Sequence, residues 1–275
     1  MPSVFSCPVC KAPLENYVSF HKCSNGHSFD IAKEGYVNLV GASKRNSALS
    51  GDDRDMVKSR TLFLEGGYYN PLRDKIISLI KETAIENPVL LDSGCGEGYY
   101  TRFYCQQVQK MGGTAVGIDL SKSAIKHASK NCKDACFATA SVYHLPILDD
   151  SIDVLVNCFS PLAPDEFRRV VKKGGYFFYV VPDKGHLWEL KKVLYDVPYE
   201  NTVKNDSYDG FEYVKTEFVK TSFTLDSKEK IMSLLHMTPY TWKTPKSGVE
   251  RLSLLERLDV TAEFQVLVYR RNETE

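Results

Sequence analysis

Val89-Leu90-Leu91-Asp92-Ser93-Gly94-Cys95-Gly96-Glu97-Gly98 is the stretch that decides the fold. An apolar run of strand length stops at a carboxylate and turns through three alternate glycines. A segment of helical character follows, from Tyr99 to about Met111. Strand, glycine turn and helix in this order make a β–α unit whose ligand meets the backbone at the strand's carboxyl end. A dinucleotide site would space its glycines G-x-G-x-x-G and hold a diphosphate at the helix N-terminus. Here the spacing is Gly94-x-Gly96-x-Gly98, with Asp92 ahead and Tyr99 behind. That spacing suits close backbone approach to a ligand without a diphosphate.

Outward from this loop, strand and helix alternate. Ala115 to Ile118 predicts a second strand ending at Asp119, and Lys122 to Lys130 a helix. Cys136 to Ala138 predicts a third strand and Ile152 to Asn157 a fourth. Pro164 to Val171 reads as helix. Gly174-Gly175 turns into a fifth strand, Tyr176 to Val181, stopped by Pro182. Such alternation predicts a parallel sheet covered on both faces. Asp119 at its strand end is placed to accept hydrogen bonds from ribose hydroxyls. Upstream, Pro71 opens an amphipathic helix with Leu72, Ile76, Ile77, Leu79 and Ile80 on one side. Met56 to Leu64 has helical spacing that Gly66-Gly67 would end, and Gly41 to Asp55 reads as a polar linker.

The eight cysteines are unevenly placed. Cys7-x2-Cys10, twelve residues, then Cys23-x3-His27 has the spacing of a closed Cys3His zinc site. His21 would break the second pair, so His27 is the expected fourth ligand. The other five cysteines carry no metal spacing and read as small buried side chains. No basic and apolar leader opens the chain, so a reducing, cytoplasmic setting is expected and disulfides are not. A module this short buries little core, so metal would supply most of its folding free energy.

Composition narrows the class further. Hydrophobic residues make up 43% and charged residues 25%, which excludes a disordered chain. No apolar run reaches membrane-spanning length. With 35 Lys and Arg against 35 Asp and Glu, the net charge is zero. Residues 1–60 hold eight Lys/Arg against six Asp/Glu, so no strongly basic arm is hidden there. Binding to nucleic acid would rest on local placement of cations and base contacts, with a shallow salt dependence.

The acid-x-Gly-x-Gly-x-Gly loop resembles motif I of class I S-adenosylmethionine-dependent methyltransferases. His144-Leu145-Pro146 with Ser151-Ile152-Asp153 resembles the segment that meets the adenine in that superfamily. The Lys172-Lys173-Gly174-Gly175 turn resembles the one before its fifth strand. Joined to the zinc set, the whole chain resembles the bacterial 23S ribosomal RNA guanine-N1 methyltransferases. The most specific strings are Lys33-Glu34-Gly35-Tyr36-Val37-Asn38-Leu39 and His186-Leu187-x-Glu189-Leu190. Tyr69-x-Pro71-Leu72-Arg73-Asp74 and Met237-Thr238-Pro239-Tyr240-x-Trp242 add to them. Ser93, where an apolar residue is commoner, and Asn157-Cys158-Phe159-Ser160-Pro161 depart from the pattern.

The resemblance implies an α/β class I fold, Rossmann-like, with a mostly parallel seven-stranded sheet behind a small N-terminal zinc module. It divides the chain into a zinc-binding RNA-recognition module over 1–40, a linker and connecting helix over 41–70, and a methyltransferase domain over 71–275. It implies transfer of a methyl group from S-adenosylmethionine to N1 of a guanine in a 23S rRNA hairpin loop, by a homodimer. Tyr69, Asp92, Gly94, Gly96, Glu97, Gly98, Asp119 and His186 are then the expected cofactor residues. Cys7, Cys10, Cys23 and His27 are the structural zinc ligands. Guanine N1 carries a proton that must leave, so a general base or a stabiliser of O6 is expected. Asp183 and Asn157 are positional candidates, each more readily read as a strand-end cap or a solvated charge, and no base is assigned. A class I methyltransferase acting on a small molecule such as a quinone precursor is the alternative, but it gives the zinc module no role. A DNA-binding zinc regulator and an NAD-linked enzyme leave, respectively, the glycine loop and its spacing unexplained.

Overall fold

The computed structural model describes residues 4–41, 54–202 and 207–274. Residues 42–53, in the expected linker, lie outside the described residues. At the N-terminus β1 (Leu14–Asn16), β2 (Phe20–Cys23) and β3 (Ser28–Asp30) form a small antiparallel sheet. β4 (Tyr36–Asn38) follows. Helices α1 (Arg54–Glu65) and α2 (Asn70–Glu82) lead into β5 (Val89–Ser93). Then come α3 (Tyr99–Lys110), β6 (Thr114–Asp119), α4 (Lys122–Asn131), β7 (Cys136–Thr139), β8 (Ile152–Cys158), α5 (Pro164–Val170) and β9 (Val171–Pro182). The last part holds α6 (Trp188–Leu194), β10 (Phe211–Leu225), α7 (Lys228–His236), α8 (Tyr240–Lys243), α9 (Lys246–Ser253) and β11 (Leu258–Arg271).

The large sheet has eight strands in the order β10-β11-β9-β8-β5-β6-β7-β4. Only β11 runs against its neighbours; the ladder from β9 to β4 is parallel throughout. Seven strands make the expected class I sheet, with ligand-bearing loops at their carboxyl ends. The eighth is β4, which pairs in parallel with β7 through Tyr36 and Phe137, Val37 and Ala138, Asn38 and Thr139. The Lys-Glu-Gly-Tyr-Val-Asn-Leu string has its reason here. Gly35 turns at φ 102°, and Tyr36, Val37 and Leu39 are buried against the sheet.

β9 starts at Val171, five residues before the expected strand. Val171 pairs with Ile152, but the next pair is Val154 with Tyr176. The Lys172–Gly175 segment is thus a bulge carried by Gly174 at φ 76°, not a turn outside the sheet.

Period-two alternation assigns each strand's side chains to two faces. Leu90, Ala115, Val154, Val156 and Phe178 pack with α2, α3, α4, α6 and α7 residues. Leu91, Val116, Leu155, Phe177 and Leu267 pack on the other side with Phe167 of α5. That second cluster also contains Phe5, Cys7, Leu14 and Cys23. The N-terminal ribbon therefore covers part of a sheet face.

Arg169 fastens the ribbon's landing loop. Its guanidinium donates to Glu166 Oε1 (2.9 Å) and Oε2 (2.8 Å), Asp149 Oδ1 (2.7 Å), Ile147 O (2.7 Å) and Leu145 O (2.9 Å). The same loop receives the ribbon: Ser6 N–H donates to Pro146 O and Leu148 N–H to Val4 O, both at 2.9 Å. Arg169→Ala strands Glu166 and two carbonyls, and should lower unfolding free energy by about 2 kcal/mol. A urea midpoint equal to wild type would count against this role.

Candidate functional site

The four expected metal ligands come together. Every ligand atom of Cys7, Cys10, Cys23 and His27 lies within 4.8 Å of the others. Cys10 and Cys23 sulfurs are 3.7 Å apart, and His27 Nδ1 is 3.6 Å from Cys7 Sγ and 3.4 Å from Cys23 Sγ. A tetrahedral zinc with Zn–S near ~2.3 Å puts its sulfurs ~3.8 Å apart, so this donor set fits a closed structural site. Two tight turns build it. Lys11 N–H donates to Cys7 O at 2.8 Å, with Lys11 at φ 65°, and Gly26 N–H donates to Cys23 O at 3.0 Å, with Gly26 at φ 87°. Asn25, with the Ala12 amide, holds the Cys10 thiol down to about 6, toward the thiolate that zinc requires. His21 stands apart as a core residue, edge-on to Phe5 at 5.8 Å, with burial lowering its pKa.

The glycine loop sits between the carboxyl ends of β5 and β6. Gly94 and Cys95 donate backbone N–H groups to Ile118 O at 2.7 and 2.9 Å. Gly96 N–H donates to Asp119 Oδ2 at 3.0 Å, and Ser121 N–H to Asp119 Oδ1 at 2.7 Å. Asp119 therefore ties the two strand ends together. Gly98 caps α3 at φ 85°, where a Cβ would stand 2.6 Å from Ala128 Cβ. Gly94 turns at φ 82° with Ser160 in the space a side chain would need, and Gly96 lies beneath Arg60 of α1.

Asp92 is buried under this loop and accepts the Thr101 hydroxyl at 2.6 Å, bracing the first turns of α3. Burial pushes its pKa up to about 7, against the Thr101 bond, with Asp119 and Glu97 adding to the rise. Glu97 is itself buried. Three carboxylates around one glycine cradle suit a ligand carrying positive charge, as S-adenosylmethionine does in its sulfonium and ammonium groups.

Tyr69 and His186 meet on the other side of this strand end. Tyr69 precedes α2, with its ring 6.3 Å from that of His186, and both pack on Phe264 at 4.8 Å. His186 Nδ1 lies 2.8 Å from Glu263 O, and burial lowers its pKa to about 4, so the ring is neutral. The His-Leu-x-Glu-Leu string locks α6 to β11. Leu187 and Leu190 are buried, and Glu189 Oε2 accepts the Thr261 N–H at 3.0 Å. Tyr240 of the Met-Thr-Pro-Tyr string packs by Tyr195 and the buried Lys191.

The two acceptor-side candidates are both held. Asp183 Oδ1 accepts from Gln265 Nε2 at 2.7 Å and from Lys184 N–H at 2.8 Å. Asn157 Nδ2 donates to Pro161 O at 3.1 Å and Ser93 O at 3.4 Å. Its Oδ1 is buried without a partner, as are Ser160 Oγ, Tyr69 OH and Tyr100 OH. Each such atom costs about 1–3 kcal/mol unless a ligand or water meets it. Four of them beside a glycine cradle fit a polar cofactor. Arg60 carried no sequence signal, and only the fold brings it to the loop; Ser160 lies in the Asn157–Pro161 segment that departs from the family pattern, and Tyr100 follows the glycine loop directly.

Two outcomes follow from this geometry. Cys23→Ser should lose bound zinc and lower the melting temperature; a variant that keeps one zinc per chain at wild-type stability would contradict the ligand set. Asp92 ionises near pH ~3.9 in the unfolded chain but near 7 when folded. The folded chain holds the extra proton across that window, so Asp92 removes stability as pH rises through it. Asp92→Asn lacks this slope and should gain about 3 kcal/mol on wild type between pH 4 and pH 8. Parallel stability–pH curves for the two proteins would reject it.

Comparison with known proteins agrees with both halves. Residues 5–48 match the family model described as RlmA, N-terminal, a zinc ribbon, and residues 91–179 match the Methyltransferase domain model. YxjB of Bacillus subtilis is 35% identical, over 97% of this chain and 96% of its own, and its name assigns it provisionally to 23S rRNA guanine-N1 methylation. The 23S rRNA (guanine(748)-N(1))-methyltransferase of Streptomyces fradiae is 31% identical, over 86% of this chain and 85% of its own. With its zinc ribbon and class I S-adenosylmethionine-dependent domain, the chain belongs to the family of 23S rRNA (guanine-N1)-methyltransferases.

Proposed function

We propose that the protein transfers a methyl group from S-adenosylmethionine to N1 of one guanine in a hairpin loop of 23S rRNA. The observation that carries this reading is the fusion of a Cys3His ribbon to the methyltransferase sheet, matched over nearly the whole length of relatives named for that reaction. Gly94, Gly96 and Gly98 supply the cradle, Glu97 and Asp92 the negative surroundings, and Asp119 the ribose acceptor. Tyr69 and His186 close the opposite wall. When bound, the cofactor supplies an electrophilic methyl group, and the chain's task is alignment of the acceptor.

The ribbon over 1–40 takes the RNA-recognition role, 41–70 connects, and 71–275 forms the methyltransferase domain, although β4 lends one strand to its sheet. Cys7, Cys10, Cys23 and His27 hold structural zinc, and two chains together frame the RNA. No helix among the described residues is long and apolar enough to cross a membrane, which suits work on cytoplasmic ribosomal RNA.

Guanine N1 is hydrogen-bonded in a Watson–Crick pair, so the target must be unpaired or extruded. For the same reason a methyl group at N1 halts reverse transcription. Incubation of unmodified 23S rRNA with the protein and S-adenosylmethionine should create one new primer-extension stop in a hairpin loop. Absence of any stop, with methyl transfer to small phenols or quinones instead, would refute the reading.

A further inference from the structure

The loop that ends β8 holds a strained conformation beside the cofactor cradle. Phe159 sits at φ 54°, in the left-handed region that a bulky residue avoids. Its neighbours enforce that conformation. Phe159 N–H donates to Val180 O at 3.3 Å, and Asn157 on one side bonds the carbonyls of Ser93 and Pro161. Ser160 on the other side is wedged against Gly94 of the cradle. The Phe159 ring is left 47% exposed. It packs at a tilt on Phe264, with ring centroids 5.7 Å apart, and Phe264 packs on both Tyr69 and His186 at 4.8 Å. Phe159 is thus the exposed end of an aromatic chain whose inner members line the cofactor wall.

A lone exposed apolar side chain is ordinary on any surface. An exposed aromatic held in a disfavoured backbone conformation, one residue past a sheet strand and beside the glycine loop, is not. Glycine or asparagine would hold that turn without strain. Strain persists where surrounding structure over-determines it, and it concentrates at functional sites.

We propose that Phe159 is the surface on which the target guanine stacks once it has left its RNA stack. This inference rests on the guanine reading given above. An extruded base has lost its stacking neighbours, and a rigid ring replaces them. A phenyl ring has no hydrogen-bonding group, so Phe159 holds the base plane without selecting guanine. Selection belongs to polar groups that the ring does not supply.

The test compares Phe159→Ala, Phe159→Gly and Phe159→Tyr in the full zinc-loaded chain, acting on unmodified 23S rRNA. Phe159→Ala and Phe159→Gly should lower kcat/KM for rRNA by about 10-fold or more, the size of one lost base–aromatic stack. S-adenosylhomocysteine affinity should stay unchanged, and Phe159→Tyr should restore most of the rate. Phe159→Gly relieves the backbone and should melt no lower than Phe159→Ala, which keeps the test open if the alanine variant folds poorly. The inference is overturned if a folded alanine or glycine variant methylates rRNA at the wild-type rate. It is equally overturned if tyrosine is as slow as alanine, or if cofactor affinity falls in step with the rate. A wild-type chain that leaves no stop on 23S rRNA would defeat the substrate reading, and this inference with it. A wild-type stop that Phe159→Ala forms equally fast would defeat the inference alone.

Discussion

A parallel sheet has to be covered on both faces, and this molecule meets that demand asymmetrically. Helices of the methyltransferase part cover one face. On the other, α5 shares the task with the N-terminal ribbon, whose Phe5, Cys7, Leu14 and Cys23 join the same apolar cluster as Leu91, Val116 and Leu155. The ribbon's own strands are only three or four residues long, too short to persist alone. Zinc holds the ribbon, the ribbon completes the sheet's cover, and the covered sheet fixes the strand ends where chemistry takes place. Structural metal and catalytic fold are mechanically one object.

At those strand ends the groups proposed for ligand chemistry also serve structure. Asp119 joins the β5 and β6 loops through two backbone N–H groups, at the place where a ribose acceptor is needed. Asp92 braces α3 from beneath and adds negative charge under the cradle when ionised. Burial keeps His186 neutral, while the Glu263 carbonyl and Phe264 hold its ring in place. Such dual use keeps the cradle's geometry in place before any ligand arrives, which is the condition for positioning to accelerate a reaction.

Much of this could be read from the chain before folding, for local reasons. β5, β6 and β8 are short apolar runs that carry Asp92, Asp119 and Asn157 at or next to their ends, so both type and polarity are visible. The zinc ligands are visible because spacing alone constrains them. Tertiary pairing overrode the reading in two places. β9 runs through Gly174-Gly175 because a bulge absorbs them. β4 joins the large sheet because Tyr36 meets Phe137, a partner that no local pattern names. β10 carries no clear strand pattern, because an edge strand half open to water is a mixed string of charges and aromatics. The conformation of Phe159 could not be read at all, since backbone strain is imposed by neighbours and leaves no mark in composition.

The β4–β7 pairing has a consequence for how the chain is made. Synthesis delivers the ribbon first, and its four ligands can gather round a metal as soon as His27 is free of the ribosome. Its strand cannot dock until Thr139 has emerged, some hundred residues later, because Asn38 pairs there. The sheet stays incomplete longer still: β11, the central antiparallel strand between β9 and β10, is the last element made. The nascent protein therefore carries a finished ribbon ahead of an unfinished sheet, with β9 as an open edge until β11 arrives, and long-range closure of this kind is slow. Assembly begins at the ribbon and closes with β11, and the interval between the two is when the chain most needs shielding from its neighbours.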